Sequence, residues 1–222
     1  MQLFNGNSGI NVNVNHRHIL EDVPVKSPLL NSETPKLTVE SLNNHVYFYA
    51  DVDTDRTLAL IRSLRGLDEM LRNERMSRDV PPDVFYSPIW LHVQSGGGDA
   101  FAGFAAANQI EEIGRRTPIY AVAEGMVASA ATFIFLACNK RYVLPNTFFL
   151  IHQVSAWKFG LYKYDESEDD LALQKKIMKQ MVDFYTAHTA LSEEAVREML
   201  KRNTWLDAGE ALDAGIVHEV RG

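Results

Sequence analysis

Apolar residues recur along this chain at two spacings. Four short blocks, HVYFYA from His45 to Ala50, IWLHV from Ile89 to Val93, IYAVA from Ile119 to Ala123 and FFLIH from Phe148 to His152, have the length and the β-branched and aromatic content of buried strands. Between them lie helical patterns: Leu58 to about Asn73, the alanine-rich Ala100 to Ile113, and an apolar stretch that opens after Ser129. A polar loop containing Pro81, Pro82 and Pro88 separates the first helix from the second strand. Strand, helix, strand in alternation predicts βαβ units and a mostly parallel sheet, an α/β fold.

Beyond the fourth strand, Asp169 to about His188 reads as one long helix, with Leu171, Met178, Met181, Val182 and Tyr185 roughly on one face and Lys175, Lys176 and Lys179 elsewhere. That face needs a surface to bury against. Ser192 is placed to cap the next helix, and Asp207 with Glu210 makes a capping-box-like start to the last one. Residues 1–40 are rich in Asn and broken by Pro24, Pro28 and Pro35, which predicts an arm or removable extension ahead of a single domain over 41–222.

Composition narrows the function. A hydrophobic fraction of 46% and a charged fraction of 23% are those of an ordinary globular protein. The net charge of −7 argues against a nucleic-acid partner, which needs a basic surface. Cys138 stands alone, so neither an intrachain disulfide nor a cysteine-based metal site is expected, and a reducing, cytoplasmic setting fits. The N-terminus has neither the basic start nor the apolar core of a secretory signal. The longest apolar run, Gly125 to Cys138, is too short to cross a bilayer, so no membrane segment is expected.

Three places have the residue types for chemistry. Ser95-Gly96-Gly97-Gly98-Asp99 lies between a strand and a helix, where glycines let backbone N–H groups approach a ligand, as in a phosphate loop or an oxyanion hole. No Lys-Ser/Thr follows it, and Asp99 sets a carboxylate where an anion would sit, which favours the oxyanion hole. Ser129 opens a helix after a buried strand, where free N–H groups stabilise developing negative charge; it is either a nucleophile or a simple helix cap. His152 ends a parallel strand, a common edge for a ligand crevice, and is either a general base or a satisfied core histidine. Two further clusters, Asp165 to Asp170 and His16 with His18, read as a solvated helix start and a polar arm in preference to metal sites.

The order of these pieces is specific. SGGGDAFAG, then GMVASAA, then LPN-x-x-x-x-IHQ from Leu144 to Gln153, with AHT at Ala187 to Thr189 and WLDAGEALDAGIV at Trp205 to Val217, resembles the ClpP family of self-compartmentalising serine peptidases across roughly residues 40–220. The resemblance implies a ClpP/crotonase-like spiral of ββα units with a protruding handle helix over Asp169 to His188. It implies Ser129 as nucleophile, His152 as base, and the N–H groups of Gly98 and Ala130 as the oxyanion hole, with no cofactor and no metal. Peptides and unfolded proteins are the implied substrates. Stacked heptameric rings, a tetradecamer of this one chain, and a AAA+ unfoldase of the ClpX or ClpA kind are the implied assembly and partner.

The chain departs from that family in three places. Ser95-Gly96-Gly97-Gly98 stands where Ser-Pro-Gly-Gly is usual, which makes Gly97 an alternative oxyanion donor. Asn203 stands at the position of the third triad residue, usually aspartate; Asp207 is the second choice for that role. Trp90 and His92 stand where aromatic residues form the pocket for unfoldase loops. Competing readings are a ring subunit with weak or no catalysis, a capsid-maturation protease of the same fold, and an acyl-CoA enzyme that uses the oxyanion hole for a thioester enolate.

Overall fold

A computed structural model describes residues 39–78, 81, 87–154 and 164–222, with 164–167 described by backbone alone. The N-terminal arm, apart from its last two residues, and the His16 and His18 pair lie outside the described residues, as does Pro82.

The chain opens on an antiparallel pair, β1 (Val39–Leu42) and β2 (His45–Tyr49), followed by α1 (Thr54–Ser77), β3 (Ile89–Ser95), α2 (Ala100–Gly114) and β4 (Ile119–Ala128). A short helix α3 (Ala130–Leu136), two strands β5 (Lys140–Val143) and β6 (Phe148–Ile151), and the long helix α4 (Tyr164–His188) come next. The chain ends with α5 (Glu193–Leu200), β7 (Thr204–Leu206), α6 (Ala208–Asp213) and β8 (Glu219–Val220). All four predicted strands and the three predicted helices between them are present, and the sheet is parallel except at β1 with β2 and β6 with β7. Helix α1 runs on past Asn73 through Glu74-Arg75-Met76-Ser77, where a loop was expected: these are mostly good helix formers, and the prolines begin only at Pro81.

The eight-stranded sheet follows the order β1-β2-β3-β4-β5-β8, and β6 and β7 branch from it. The branch arises within β4. Its first half pairs with β5 from Tyr120 to Ala123, and its second half pairs with β6 from Met126 to Ala128. Between the halves Gly125 turns at φ +71°, and the buried Thr147 bridges the bend: its Oγ1 accepts from the Gly125 N–H at 3.1 Å and donates to the Ala123 carbonyl at 3.2 Å.

On one face of the sheet, Val46, Phe48, Leu91, Val93, Ala121 and Ala123 pack with Leu60, Leu64, Ile110, Phe133 and Ile134 of the helices into one core. The C-terminal half of α4 joins it through Ile177, Met181, Val182 and Tyr185. Leu171, expected on the same apolar face, is 51% exposed among the described residues of the single chain. Arg141 on β5 knits the helix ends. Its buried guanidinium donates to the carbonyls of Leu136 at the end of α3 and Cys138 just beyond it, His188 at the end of α4, and Gly215 and Ile216 after α6, at 2.7–3.4 Å. Helix C-termini present unpaired, partially negative carbonyls, so a buried cation there is stabilised without a carboxylate.

The other face of β2, β3 and β4 is aromatic and polar. Trp90 meets His45, Tyr120 and Tyr142, and the Arg221 guanidinium lies 4.7 Å from the Trp90 ring centre and 3.5 Å from that of Tyr142. His92 sits between His45, whose Nδ1 is 2.9 Å from His92 Nε2, and Glu124, whose Oε1 is 2.7 Å from His92 Nδ1; Tyr49 donates to the other carboxylate oxygen. Desolvation and the neighbouring His45 push His92 down to about 4, while burial raises Glu124 above its ordinary value. His92 is therefore neutral at pH 7, donating from Nδ1 to the Glu124 carboxylate and accepting from His45.

Replacing Arg141 by Met leaves several buried carbonyls without donors, and should lower unfolding stability by about 3 kcal/mol or more in denaturant titration. The second expectation concerns pH. With its folded value below the unfolded 6.5, His92 is neutral in the fold while the unfolded chain takes up the proton, so its contribution to stability is lost as pH falls from 6.5 to about 4. Glu124, raised, acts in the opposite sense at the low end of that window. The His92→Phe chain should lose less stability than the parent between pH 6.5 and 4, read as the difference in unfolding midpoint at the two pH values.

Candidate active site

The bend in β4 sends its last residues beside β6, and the residue that follows is Ser129. Ser129 has φ 54° and ψ −127°, a left-handed conformation that is strained for a residue with a Cβ and is held only where the surroundings dictate it. Two backbone contacts dictate it here. The Ser129 N–H donates to the Leu150 carbonyl of β6 at 2.8 Å, and the Ser129 carbonyl accepts from the Thr132 N–H at 2.9 Å. The side chain makes no capping hydrogen bond, so the reading of Ser129 as a simple helix cap fails: its hydroxyl is left for other use.

His152 follows the last residue of β6 and is half-buried. On the far side of β6, the antiparallel strand β7 pairs Ile151 with Thr204, and His152 and Asn203 are the residues next beyond that last pair on the two strands. Strand β6 thus lies between the strand that ends at Ser129 and the strand that starts after Asn203, which draws all three residues to one end of the branch. Among the described residues, no hydrogen bond joins the His152 ring to Ser129 or to Asn203. Such bonds commonly close only around a bound substrate. Asp207 is committed elsewhere: its side chain accepts from the Glu210 N–H at 2.9 Å, and Glu210 returns the bond to the Asp207 N–H at 3.0 Å, closing a capping box.

The glycine loop completes the arrangement. Val52 clamps it from the side, donating its N–H to Gly97 O at 2.8 Å and accepting from Asp99 N–H at 2.7 Å. A Cβ on Gly98 would stand 2.2 Å from Val52 O, and one on Gly97 would stand 2.6 Å from both Ala128 O and Ser129 Cβ, so only glycine allows the loop to lie against Ser129. The Gly97 N–H is taken by Ser95 Oγ at 3.1 Å, whereas those of Gly98 and Ala130 have no partner among the described residues. That distinction separates Gly98 from the alternative donor Gly97. Gly96, which replaces the usual proline, does not use left-handed backbone. The Asp99 carboxylate caps α2 through the Ala102 N–H at 2.8 Å and occupies the place an anion would need, which ends the phosphate-loop reading.

Sequence reasoning had placed Ser129, His152, Asn203, Gly98 and Ala130 in the site, and the backbone gathers them at one end of the β4–β6–β7 branch. It missed the pinning residues Leu150, Thr132 and Val52, which act through backbone groups or a short hydroxyl and leave no periodic signal. Residues 165–170, the acidic cluster, fall within the first turns of α4; of these Glu168, Asp169 and Asp170 are exposed.

Comparison with known proteins bears on the family and the fold. A Clp protease family model matches residues 84–222. The ATP-dependent Clp protease proteolytic subunit 2 of Treponema denticola is 33% identical over 135 residues, covering 60% of this chain and 66% of the relative. The corresponding subunit 2 of Treponema pallidum is 33% identical over 132 residues, with 59% and 64% covered, so the chain spans slightly under two thirds of the length of these relatives. An asparagine-to-aspartate variant of ClpP1 from Listeria monocytogenes superimposes with a TM-score of 0.67 at 26% identity, covering 81% of this chain and 91% of that one; ClpP1 itself gives 0.63. The expected α/β spiral is therefore the observed fold, and no helix among the described residues is long and apolar enough to cross a membrane. With the matched model covering more than half of its length, this chain belongs to the Clp protease family.

Proposed function

We propose that the chain is the proteolytic subunit of a self-compartmentalising protease, a serine endopeptidase acting on peptides and unfolded proteins. The observation that supports this most is the strained Ser129, pinned by Leu150 and Thr132 with its hydroxyl free of any capping bond, at the junction of the strands that lead to His152 and Asn203.

In this reading Ser129 Oγ attacks the peptide carbonyl while His152 takes its proton. The oxyanion settles against the N–H groups of Gly98 and Ala130. His152 then gives its proton to the leaving amine, and water hydrolyses the acyl-enzyme by the same steps in reverse roles. Asn203 offers its side-chain oxygen to the His152 Nδ1–H and so selects the tautomer. It brings no negative charge to the imidazolium, which makes a slow enzyme.

Assembly belongs to the same proposal. The uncovered half of α4, with Leu171 and Leu173 exposed, serves as the handle joining stacked heptameric rings of this chain into a tetradecamer. The face around Trp90 receives a AAA+ unfoldase of the ClpX or ClpA kind, in a pocket made polar by His45, His92 and Glu124. Residues 1–40 act as a removable arm on a peptidase domain over 41–222. The lone, buried Cys138 fits a reducing cytoplasm.

A fluorophosphonate should label Ser129 in the assembled protein and leave Ser129→Ala unlabelled, while His152→Ala slows the labelling sharply. A folded ring whose Ser129 never reacts belongs instead to a non-catalytic subunit. Separately, Asn203→Asp should raise peptide turnover by about tenfold or more, within the ~10⁴-fold that an Asp-to-Asn change costs in a serine-protease triad. An unchanged or lower rate in intact rings removes Asn203 from the third position.

A further inference from the structure

The Ser129 carbonyl has a second hydrogen-bond donor. Thr132, on the first turn of α3, donates its Oγ1–H to Ser129 O at 2.6 Å in addition to its own N–H. Thr132 Oγ1 also lies 2.6 Å from the phenol oxygen of Tyr185, which projects from α4. Both side chains are buried, Tyr185 completely and Thr132 to within 2%. The direction of the chain follows from valence. A carbonyl only accepts, so the single Thr132 proton goes to Ser129 O, and the Tyr185 proton must go to Thr132 Oγ1. Burial holds the phenol well above its ordinary pKa, so it remains a donor at any working pH.

This link is more than the packing of α4 requires. Tyr185 already contacts Phe133, with ring centres 5.7 Å apart, and a phenylalanine would keep that contact. The added hydroxyl needs a partner, and the partner found is the residue that fixes the nucleophile's carbonyl. Ser129 is strained, and a strained turn keeps its geometry only as well as its two ends are held. Its N–H end is held by Leu150 O; its C=O end is held by Thr132, itself oriented by Tyr185.

We infer that Tyr185 and Thr132 are positioning residues for Ser129, a directed hydroxyl pair running from α4 to the nucleophile's carbonyl that sets the aim of its Oγ. The inference rests on Ser129 being the nucleophile. Neither residue touches substrate, so its signature is a loss in kcat and in the labelling rate of Ser129 with KM preserved.

The test uses full-length assembled protein, a fluorophosphonate probe and a fluorogenic peptide, with thermal unfolding measured in parallel. Tyr185→Phe and Thr132→Val should each lower kcat and the labelling rate about tenfold, as small misplacements of reacting groups do, with KM within about twofold. Thr132→Ser, which keeps the hydroxyl, should stay near the parent. The decisive variant is the double Tyr185→Phe/Thr132→Val, which replaces both partners by apolar groups of like shape and so recovers most of the melting temperature lost by Thr132→Val alone. Its rate should remain low. Rates that return to parental values together with stability, or single variants that keep parental rates, overturn the inference. So does a Thr132→Ser chain as slow as Thr132→Val. If the parent itself is never labelled at Ser129, it is the peptidase reading that fails, and the two failures are told apart by that control.

Discussion

The fold turns on the bend within β4. A strand ten residues long could pair along its whole length with one neighbour, but here it changes partner, and the change sets the position of Ser129. Up to Ala123 the strand belongs to the main sheet; from Met126 it belongs to the branch with β6 and β7. Its register with β3 shifts over the same residues, between Val93 paired with Ala123 and Ser95 paired with Val127. Thr147 closes the gap that the bend would leave in the backbone hydrogen bonding. Without the branch, β6 would have no place beside Ala128, and His152 would not stand at the same edge as Ser129.

From that bend the site follows with little freedom. The parallel pairing of Ala128 with Leu150 sets the distance along the chain at which Ser129 meets β6, and the antiparallel pairing of Ile151 with Thr204 brings Asn203 and His152 to the same end of the branch. A slip of one residue in either pairing would turn the side chains to the other face. The glycine loop is then clamped between Val52 on one side and Ser129 on the other, and the N–H groups of Gly98 and Ala130 are left without a partner among the described residues. Arg141 acts at longer range: it gathers the ends of α3, α4 and the segment after α6, and so fixes the helix that carries Tyr185 relative to the helix that Ser129 begins.

What the sequence revealed was periodic or punctuated by motif. The buried strands β2, β3, β4 and β6 and the helix α2 show in their apolar blocks, and Ser129, His152 and the glycine loop stand out by their order. Elements of three or four residues such as β1, β5 and β7 exist because a partner strand is waiting for them, and a window that short has no pattern of its own. The extra turn of α1 was hidden by its charge, since Arg, Glu and Met suit an exposed helix as well as a loop. Leu171 marks a different boundary: helical spacing shows that a face is apolar, but not whether the same chain or another covers it. Tyr185 was visible only as one more apolar position, because spacing is blind to a hydroxyl and to the one other hydroxyl it meets 53 residues away.

In the proposed mechanism Asn203 gives these constraints their chemical weight. In a triad with an aspartate, the negative charge stabilises the imidazolium as it forms and can compensate for small errors of alignment through an interaction that falls off slowly with distance. An amide supplies a dipole instead, whose help depends steeply on direction and distance. The proposed triad with Asn203 therefore has to rely on aim: the strained turn at Ser129, held at both its N–H and C=O ends, and the N–H groups of Gly98 and Ala130 proposed for the oxyanion. Such preorganisation acts without requiring charge in the ground state, since fixed dipoles lower the barrier by not having to reorient as the reaction proceeds. On this argument the buried hydroxyl pair and the missing carboxylate are two sides of one arrangement, in which geometry replaces part of what charge does elsewhere.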